Sequence, residues 1–482
     1  MHSQEPVRRR RLMLAVLSGA AFMASLDLFI VNVALNDIGR DFASPGLDDL
    51  SWILNAYAIV YAALLIPLGR LADRFGRKAG FLLGLGVFTA ASAACAASAD
   101  TWMLVGFRIL QAAGAAALTP TSLGLLLAAT PAAHRLGAVR IWAASGALAA
   151  AAGPVIGGLL VDASWRWAFV INIPIGVGLI VAAWRVVPDS RDTSVSRLPD
   201  LIGAAILTVA IAALALGLVK GPTWDWGSGR VLASFLVAAI GIALFWRRTQ
   251  AHPAPVVEPA LLGVPTFAWS NVTTVLFSVA FAGVLLSNVL WLQDVWGYSA
   301  LRTGLAIAPG PLMVPLFAAV GQRLSGTVPA GRLVAAGCLL LAAGGALAIL
   351  LVDSDPNYAG ALLPGWLVGG VGVGLALPTL LSAATVDLPP ARTSTGSAVV
   401  TMSRQLGTVI GVSVVVAVLG TPTPAGALDA FQRTWTVIAV TAAVAGLVAL
   451  RMSPRRPGMT ARADQPALAG EAGNVGKGGQ EG

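Results

Sequence analysis

Apolar runs of about twenty residues recur along the whole chain, separated by short segments of Arg, Asp, Gly and Pro. A helix needs ~20 mostly apolar residues to cross hydrocarbon. Measured against that length, the pattern predicts fourteen crossing helices, at about 12–36, 49–69, 79–98, 102–128, 136–161, 166–186, 201–219, 230–247, 266–293, 303–322, 331–352, 359–384, 395–419 and 430–450. They fall into six, two and six. Residues 1–186 read as a six-helix bundle, 187–265 as a linker carrying two additional helices, and 266–450 as a second six-helix bundle. Residues 451–482, rich in Gly, Ala and charge, read as a disordered tail. Arg8 to Arg11 ahead of the first run resemble the start of a signal peptide. That run is longer than an h-region of ~7–15 residues and has no convincing cleavage site, so it reads as the first crossing helix.

Composition agrees with this pattern. The 482 residues are 57% hydrophobic and 11% charged, against about 25% charged in soluble domains. The expected fold class is an all-α polytopic membrane protein. The net charge of +9 does not point to nucleic acid, because the basic residues sit in short loops and form no stripe. With the N-terminus placed inside, 23 of the 31 basic residues fall on that face, 6 fall outside, and Arg108 and Arg404 lie within spans. The excess predicts that both termini are cytoplasmic. Cys95 and Cys338 both lie in apolar runs and read as packing residues, not a disulfide. His2, His134 and His252 read as solvated loop residues, and neither a metal site nor catalysis is expected.

Four stretches carry more information. "GRLADRFGRK", after the second run, puts Gly69, Asp73, Arg74, Gly76 and Arg77 in one dense loop. Asp73 can face a helix N-terminus, a contact that biases a two-state equilibrium. An ordinary positively charged loop is the competing reading. An echo, "GQRLSGTVPAGR", follows the tenth run without the acid, as a duplicated six-helix unit would leave it. "FRILQAAGAAALTP" opens the fourth run and places Arg108 and Gln111 about two turns in, where Arg needs a partner, a watery cavity or a route to the headgroups. "AAAAGPVIGGLL" closes the fifth run, and its Gly153, Pro154, Gly157 and Gly158 permit close backbone approach and a bend. "MSRQLGTVIGVS" puts Arg404 and Gln405 near mid-depth in the thirteenth run.

The loop at Gly69 resembles the signature loop of the major facilitator superfamily, and the Gly153 group resembles the antiporter motif of its drug exporters. Together with "WRWAFVINIPIG" (Trp165 to Gly176), fourteen spans resemble the superfamily's fourteen-helix drug:proton antiporter branch. In that branch the first helix carries a Leu-Asp-x-Thr-x-x-Asn-x-Ala-Leu-Pro pattern. This chain matches it at Leu26, Asp27, Asn32, Ala34 and Leu35, and departs from it at Phe29 and Asn36. Ala112 and Ala149 stand where the family's motifs usually carry Gly. The resemblance implies the major facilitator fold in the plasma membrane. It implies export driven by the proton gradient with no cofactor, acting on small molecules, by a protein that works as a monomer. It also implies that the antiporter motif seals the central cavity.

Of the 22 acids, only Asp27 lies deep in a span. A carboxylate taken from water is costly unless a cation or a proton compensates it. Proton and cationic cargo displacing each other on Asp27, with Arg108 tuning it, is therefore the expected exchange; a structural carboxylate hydrogen-bonded to a neighbouring helix is the competing reading. Asn32, Gln111, Arg404, Gln405 and Asp294 are candidate cavity residues. A structural hydrogen bond is an equal reading for Arg404. The absence of G-x-x-x-x-G-K-[ST] excludes a one-chain ATP-driven pump. Broad drug export, export of one natural product, and an uptake or lipid-handling role remain open. The two inserted helices suggest only packing at the periphery.

Overall fold

The computed structural model describes residues 4–43, 46–191, 197–389 and 392–452. The tail expected to be disordered lies almost wholly outside them. Among the described residues every regular element is helical. Fourteen stretches are long and apolar enough to cross a membrane: Arg8–Asp41, Leu47–Phe75, Arg77–Ala96, Thr101–Ala129, Gly137–Ala163, Trp167–Val186, Leu201–Trp224, Gly229–Ala251, Pro265–Val295, Ala300–Leu324, Ala330–Leu351, Tyr358–Thr385, Thr393–Leu419 and Pro424–Ala449. These are spans 1 to 14. Helices suit this setting because each satisfies its own backbone polar groups where no water can. An even number of crossings puts both ends of the described chain on one face, called here the terminal face.

Two elements differ from the sequence expectation. The first helix runs Gln4–Asp41, so Arg8 to Arg11 belong to it and not to a free arm. Pro6 is tolerated because it falls in the first turn, where an amide has no helical acceptor. Span 10 is two helices, Ala300–Ile307 and Pro309–Leu324, broken at Ala308. Pro311 has no N–H to give the Ile307 carbonyl, and the Trp366 indole donates to it instead, at 2.7 Å. The Tyr358 hydroxyl donates to the Ala306 carbonyl, also at 2.7 Å.

Spans 1 to 6 pack on one another, as do spans 9 to 14. The two groups meet along three seams: span 1 with span 9, span 5 with the first half of span 10, and span 2 with span 13. The first two seams close the face opposite the termini. There Asn36 Nδ2 donates to Asp294 at 2.6 Å, and Gln293 Nε2 donates to the Val33 carbonyl at 3.1 Å. Toward the terminal face the groups splay. The second half of span 10 leans mainly on span 12, and span 5 exposes Arg140, Ile141, Ala143 and Ala144 around its circumference. Contacts between the groups are thus concentrated at the face opposite the termini, and the space between their splayed ends at the terminal face is called here the cleft.

The antiporter-like motif forms two of the closing contacts. Gly153 and Gly157 face Phe29 and Ile30 of span 1; a Cβ at Gly157 would sit 3.1 Å from the Ile30 Cα. Gly158 faces the other group, where a Cβ would sit 2.7 Å from the Ala300 carbonyl and 2.8 Å from the Leu301 Cα. The Pro154 carbonyl in turn abuts Gly304. Span 7 covers the third seam, placing Ala204, Leu207, Ile211 and Ala215 against spans 2 and 13. Lys220 at its far end binds Asp48 and Asp49 at 2.9 and 2.7 Å.

Gly158→Leu drives a side chain into the span 10 backbone. Overpacking of ~1–3 kcal/mol shifts the closed state by about 5- to 150-fold. Cross-linking between Asn36→Cys and Asp294→Cys, efficient in the parent, falls by that factor in the Gly158→Leu background.

Candidate functional site

Asp27 lies inside the first six-helix group, bonded directly by residues of spans 4 and 6 and through them linked to spans 2 and 3. Spans 3 and 4 cross closely, because a Cβ at Gly114 would stand 2.6 Å from the Phe88 nitrogen. One turn beyond that crossing, Gln111 Nε2 donates to Ser92 Oγ at 2.8 Å and to Asp27 Oδ1 at 2.9 Å. Asn172 of span 6 donates to the same carboxylate oxygen at 3.0 Å. The other oxygen, Oδ2, takes the Arg108 guanidinium in a direct ion pair. Arg108 also donates to Gln111 Oε1 at 2.6 Å and, through Nε, to the Ile53 carbonyl of span 2 at 3.2 Å. Its guanidinium lies 4.1 Å from the centre of the Tyr57 ring.

Asp27, Arg108, Gln111, Asn172, Ser92 and Tyr57 are each 0% exposed. This explains how lipid-depth packing tolerates two charges: each partner neutralises the other, and amide and hydroxyl groups occupy most remaining sites. Arg108 Nη2, the Tyr57 hydroxyl and Asn172 Oδ1 are buried without a protein partner, so the network is not fully satisfied. Arg108 does not reach the headgroups. The carboxylate is enclosed by its own group of helices and does not open to the cleft. Direct contact between Asp27 and cargo, expected from the sequence, does not occur in this conformation, because Arg108, Gln111 and Asn172 take its acceptor positions.

The other candidates are distributed. Asn32, half-buried, donates to the Leu28 carbonyl of its own helix at 2.8 Å. Asp294 belongs to the closed seam and not to the open cleft, since Asn36 holds it there. Gln405 is buried within span 13, and Arg404 is half-buried on a different side of that helix. In the loop at Gly69, Asp73 pairs with Arg77, the first residue of span 3, at 2.5 Å. Gly76 takes φ +133°, a conformation that L side chains rarely adopt, and this turns the chain between spans 2 and 3. Arg74 lies over the Phe75 ring. Arg70 binds Glu258 of the linker at 2.8 Å, and Arg392, ahead of span 13, reaches Glu258 at 3.6 Å. The linker carboxylate thus ties the two groups on the terminal face.

Asn172, Ser92, Tyr57 and Asn36 are the residues that sequence reasoning passed over. Asn172 sat inside a quoted motif, as the single amide among apolar neighbours. Ser92 gave no signal beyond being a hydroxyl in an apolar run.

The profile of the Major Facilitator Superfamily matches residues 17–412. The chain belongs to the Major Facilitator Superfamily. Within it, the chain is 32% identical to the multidrug resistance protein Stp of Mycobacterium tuberculosis, covering 86% of this chain and 76% of Stp. It is also 32% identical to the probable actinorhodin transporter of Streptomyces coelicolor, over 91% and 78% of the two chains. The solved structure of the peptide transporter POT in complex with sulfate superposes with a TM-score of 0.63 at 18% identity, covering 91% of this chain and 93% of that one. That likeness concerns the fold alone. This facilitator is a transporter and a multi-pass membrane protein, and its relatives include proteins named for multidrug resistance and for actinorhodin transport.

Arg108→Ala leaves a buried carboxylate uncompensated and destabilises the protein by ~3–5 kcal/mol. Asp27→Asn combined with Arg108→Gln recovers most of that loss, because no charge is left unpaired. Thermal melting of the three detergent-purified proteins measures both effects.

Proposed function

We propose that this chain exports lipophilic drugs or antibiotics by proton-coupled alternating access, as a monomer in the bacterial plasma membrane, with the terminal face cytoplasmic. The basic residues gathered on that face support the orientation. With it, the cleft open to the terminal face is the loading state, accessible from the cytoplasm and from the inner leaflet. The single observation that carries the coupling is the enclosed Asp27–Arg108 pair, which is 0% exposed on both sides.

A proton arriving on Asp27 removes the charge that holds Arg108. The guanidinium then competes for Gln111, the Ile53 carbonyl and the Tyr57 ring, so spans 2 and 4 shift relative to span 1. Span 1 also carries Phe29 and Ile30, which pack on Gly153 and Gly157, so a change at Asp27 reaches the closing seam within one turn of helix. An inward proton across 100 mV supplies ~2.3 kcal/mol, to which a pH gradient adds. The cationic cargo expected from the sequence depended on Asp27 meeting the cargo itself. The enclosed geometry supports the proton role alone. The Asp73–Arg77 pair and the Arg70–Glu258–Arg392 tie, at the mouth of the cleft, set the balance between the two conformations.

The relative named for actinorhodin supports a second reading, export of one natural product. A panel of unrelated antibiotics in an efflux-deficient host separates the two by the breadth of protection. For the coupling itself, the double variant Asp27→Asn, Arg108→Gln, which leaves no buried charge unpaired, assembles and exchanges cargo across proteoliposomes at equilibrium, yet fails to accumulate it under an imposed pH gradient. Gradient-driven accumulation at the parental level by that variant would overturn the coupling.

A further inference from the structure

Span 13 presents Ser397, Thr401, Arg404 and Thr408 at spacings of four, three and four residues, one face of a helix, and all four are half-exposed. The flanking faces fix where that stripe points. On one side Ser403 donates to Asn271 of span 9 at 2.9 Å, and Gly407 and Gly411 lie against Val275 and Val279. On the other, Met402 and Val409 join the apolar seam with spans 2 and 7. The stripe therefore opens into the cleft between span 9 and span 2. On span 2 nearby, Tyr61 is buried in the core of the first group, and its hydroxyl donates to Thr119 of span 4 at 3.1 Å.

Arg404 is eleven residues past the start of span 13, about 16 Å into the membrane at 1.5 Å per residue. Among the described residues no carboxylate forms an ion pair with it. The one acid at comparable depth, Asp27, is committed to Arg108 and sealed from the cleft. Nearer the mouth, Arg140 of span 5 shares the face of Pro154 and Gly158, the face turned toward span 10, and it is exposed. The walls of the loading cleft thus offer positive charge at two depths and no open negative charge at mid-depth. A membrane-depth cation with no built-in partner is costly to keep and marks a functional position.

We infer that the cleft selects lipophilic acids, amphiphiles carrying one carboxylate or ionised phenol, and that Arg404 is their counter-ion. The planar guanidinium matches a carboxylate with two parallel hydrogen bonds. Thr401 and Thr408 flank it on the same helix face, their hydroxyl protons given to the Ser397 and Arg404 carbonyls at 3.0 and 3.1 Å. Positive walls of low dielectric concentrate anions and repel cations. This assignment rests on the export reading above, and it agrees with the driving forces, because an interior-negative potential also pushes an anion outward.

The test uses pyrenebutyrate, neutral pyrenebutanol and cationic pyrenebutylamine, three probes on one skeleton. Binding is read by fluorescence on the full-length protein in nanodiscs of phosphatidylcholine, for the parent, Arg404→Gln and Arg404→Lys. The parent binds the acid about tenfold or more tighter than either partner, as one charge-assisted pair supplies. Arg404→Gln binds acid and alcohol alike, and Arg404→Lys keeps part of the preference. The proposal is overturned by an amine that binds as well as the acid, by a parent that binds none of the three, or by an acid preference that survives Arg404→Gln. It is also overturned if phosphatidylglycerol in the nanodisc displaces pyrenebutyrate in an Arg404-dependent way, since the site is then a lipid headgroup's. Failure of pH-driven transport with the binding preference intact removes the export reading and leaves this one standing.

Discussion

A formal charge inside a bilayer must be answered by an opposite charge, a proton, or water that reaches it, and the arrangement of this protein follows from how it meets that requirement. Asp27 and Arg108 answer each other within one group of helices, and Gln111, Asn172, Ser92 and the Ile53 carbonyl take up most of what remains. The pair therefore joins spans 1, 2, 3, 4 and 6 through a single carboxylate. The coupling proposed above draws on that shared network, which an isolated surface ion pair would not offer.

In the proposed cycle, close packing is what carries that local event to the contact between the groups. Span 1 has two working faces a few residues apart: Asp27 turned inward, and Phe29 and Ile30 turned to the glycines of span 5. Span 5 meets span 10 through Gly158 and the Pro154 carbonyl. Span 10 itself is hinged at Ala308, with Trp366 holding the carbonyl that Pro311 leaves free. Small residues and a broken helix are costly in isolation. Here they let backbones touch without side chains between them, so the seam is either formed or absent.

The inserted pair of helices is asymmetric in its attachments. Span 7 covers the seam between spans 2 and 13 and is tied to the first group through Lys220, Asp48 and Asp49. Span 8 leans on span 7 and turns Leu232, Leu236 and Ile240 outward, as a lipid-facing helix does. The linker that follows carries Glu258 between Arg70 and Arg392. Inserting two crossings therefore strengthens the seam along which the groups stay together and leaves the open side of the cleft uncovered.

Span number was legible in the sequence, because hydropathy and chain length alone dictate it. The antiporter-like glycines were legible for a similar reason: close approach demands small residues wherever it occurs. Tertiary structure decided which partner each charge took. No spacing rule brings Asp27 to Arg108, Gln111 and Asn172, residues 81, 84 and 145 positions away, while leaving Arg404 facing an open cleft without an acid. The sign of the charge offered to cargo belongs to that second category, since it depends on which ionised groups neutralise each other and which remain exposed once the helices are assembled.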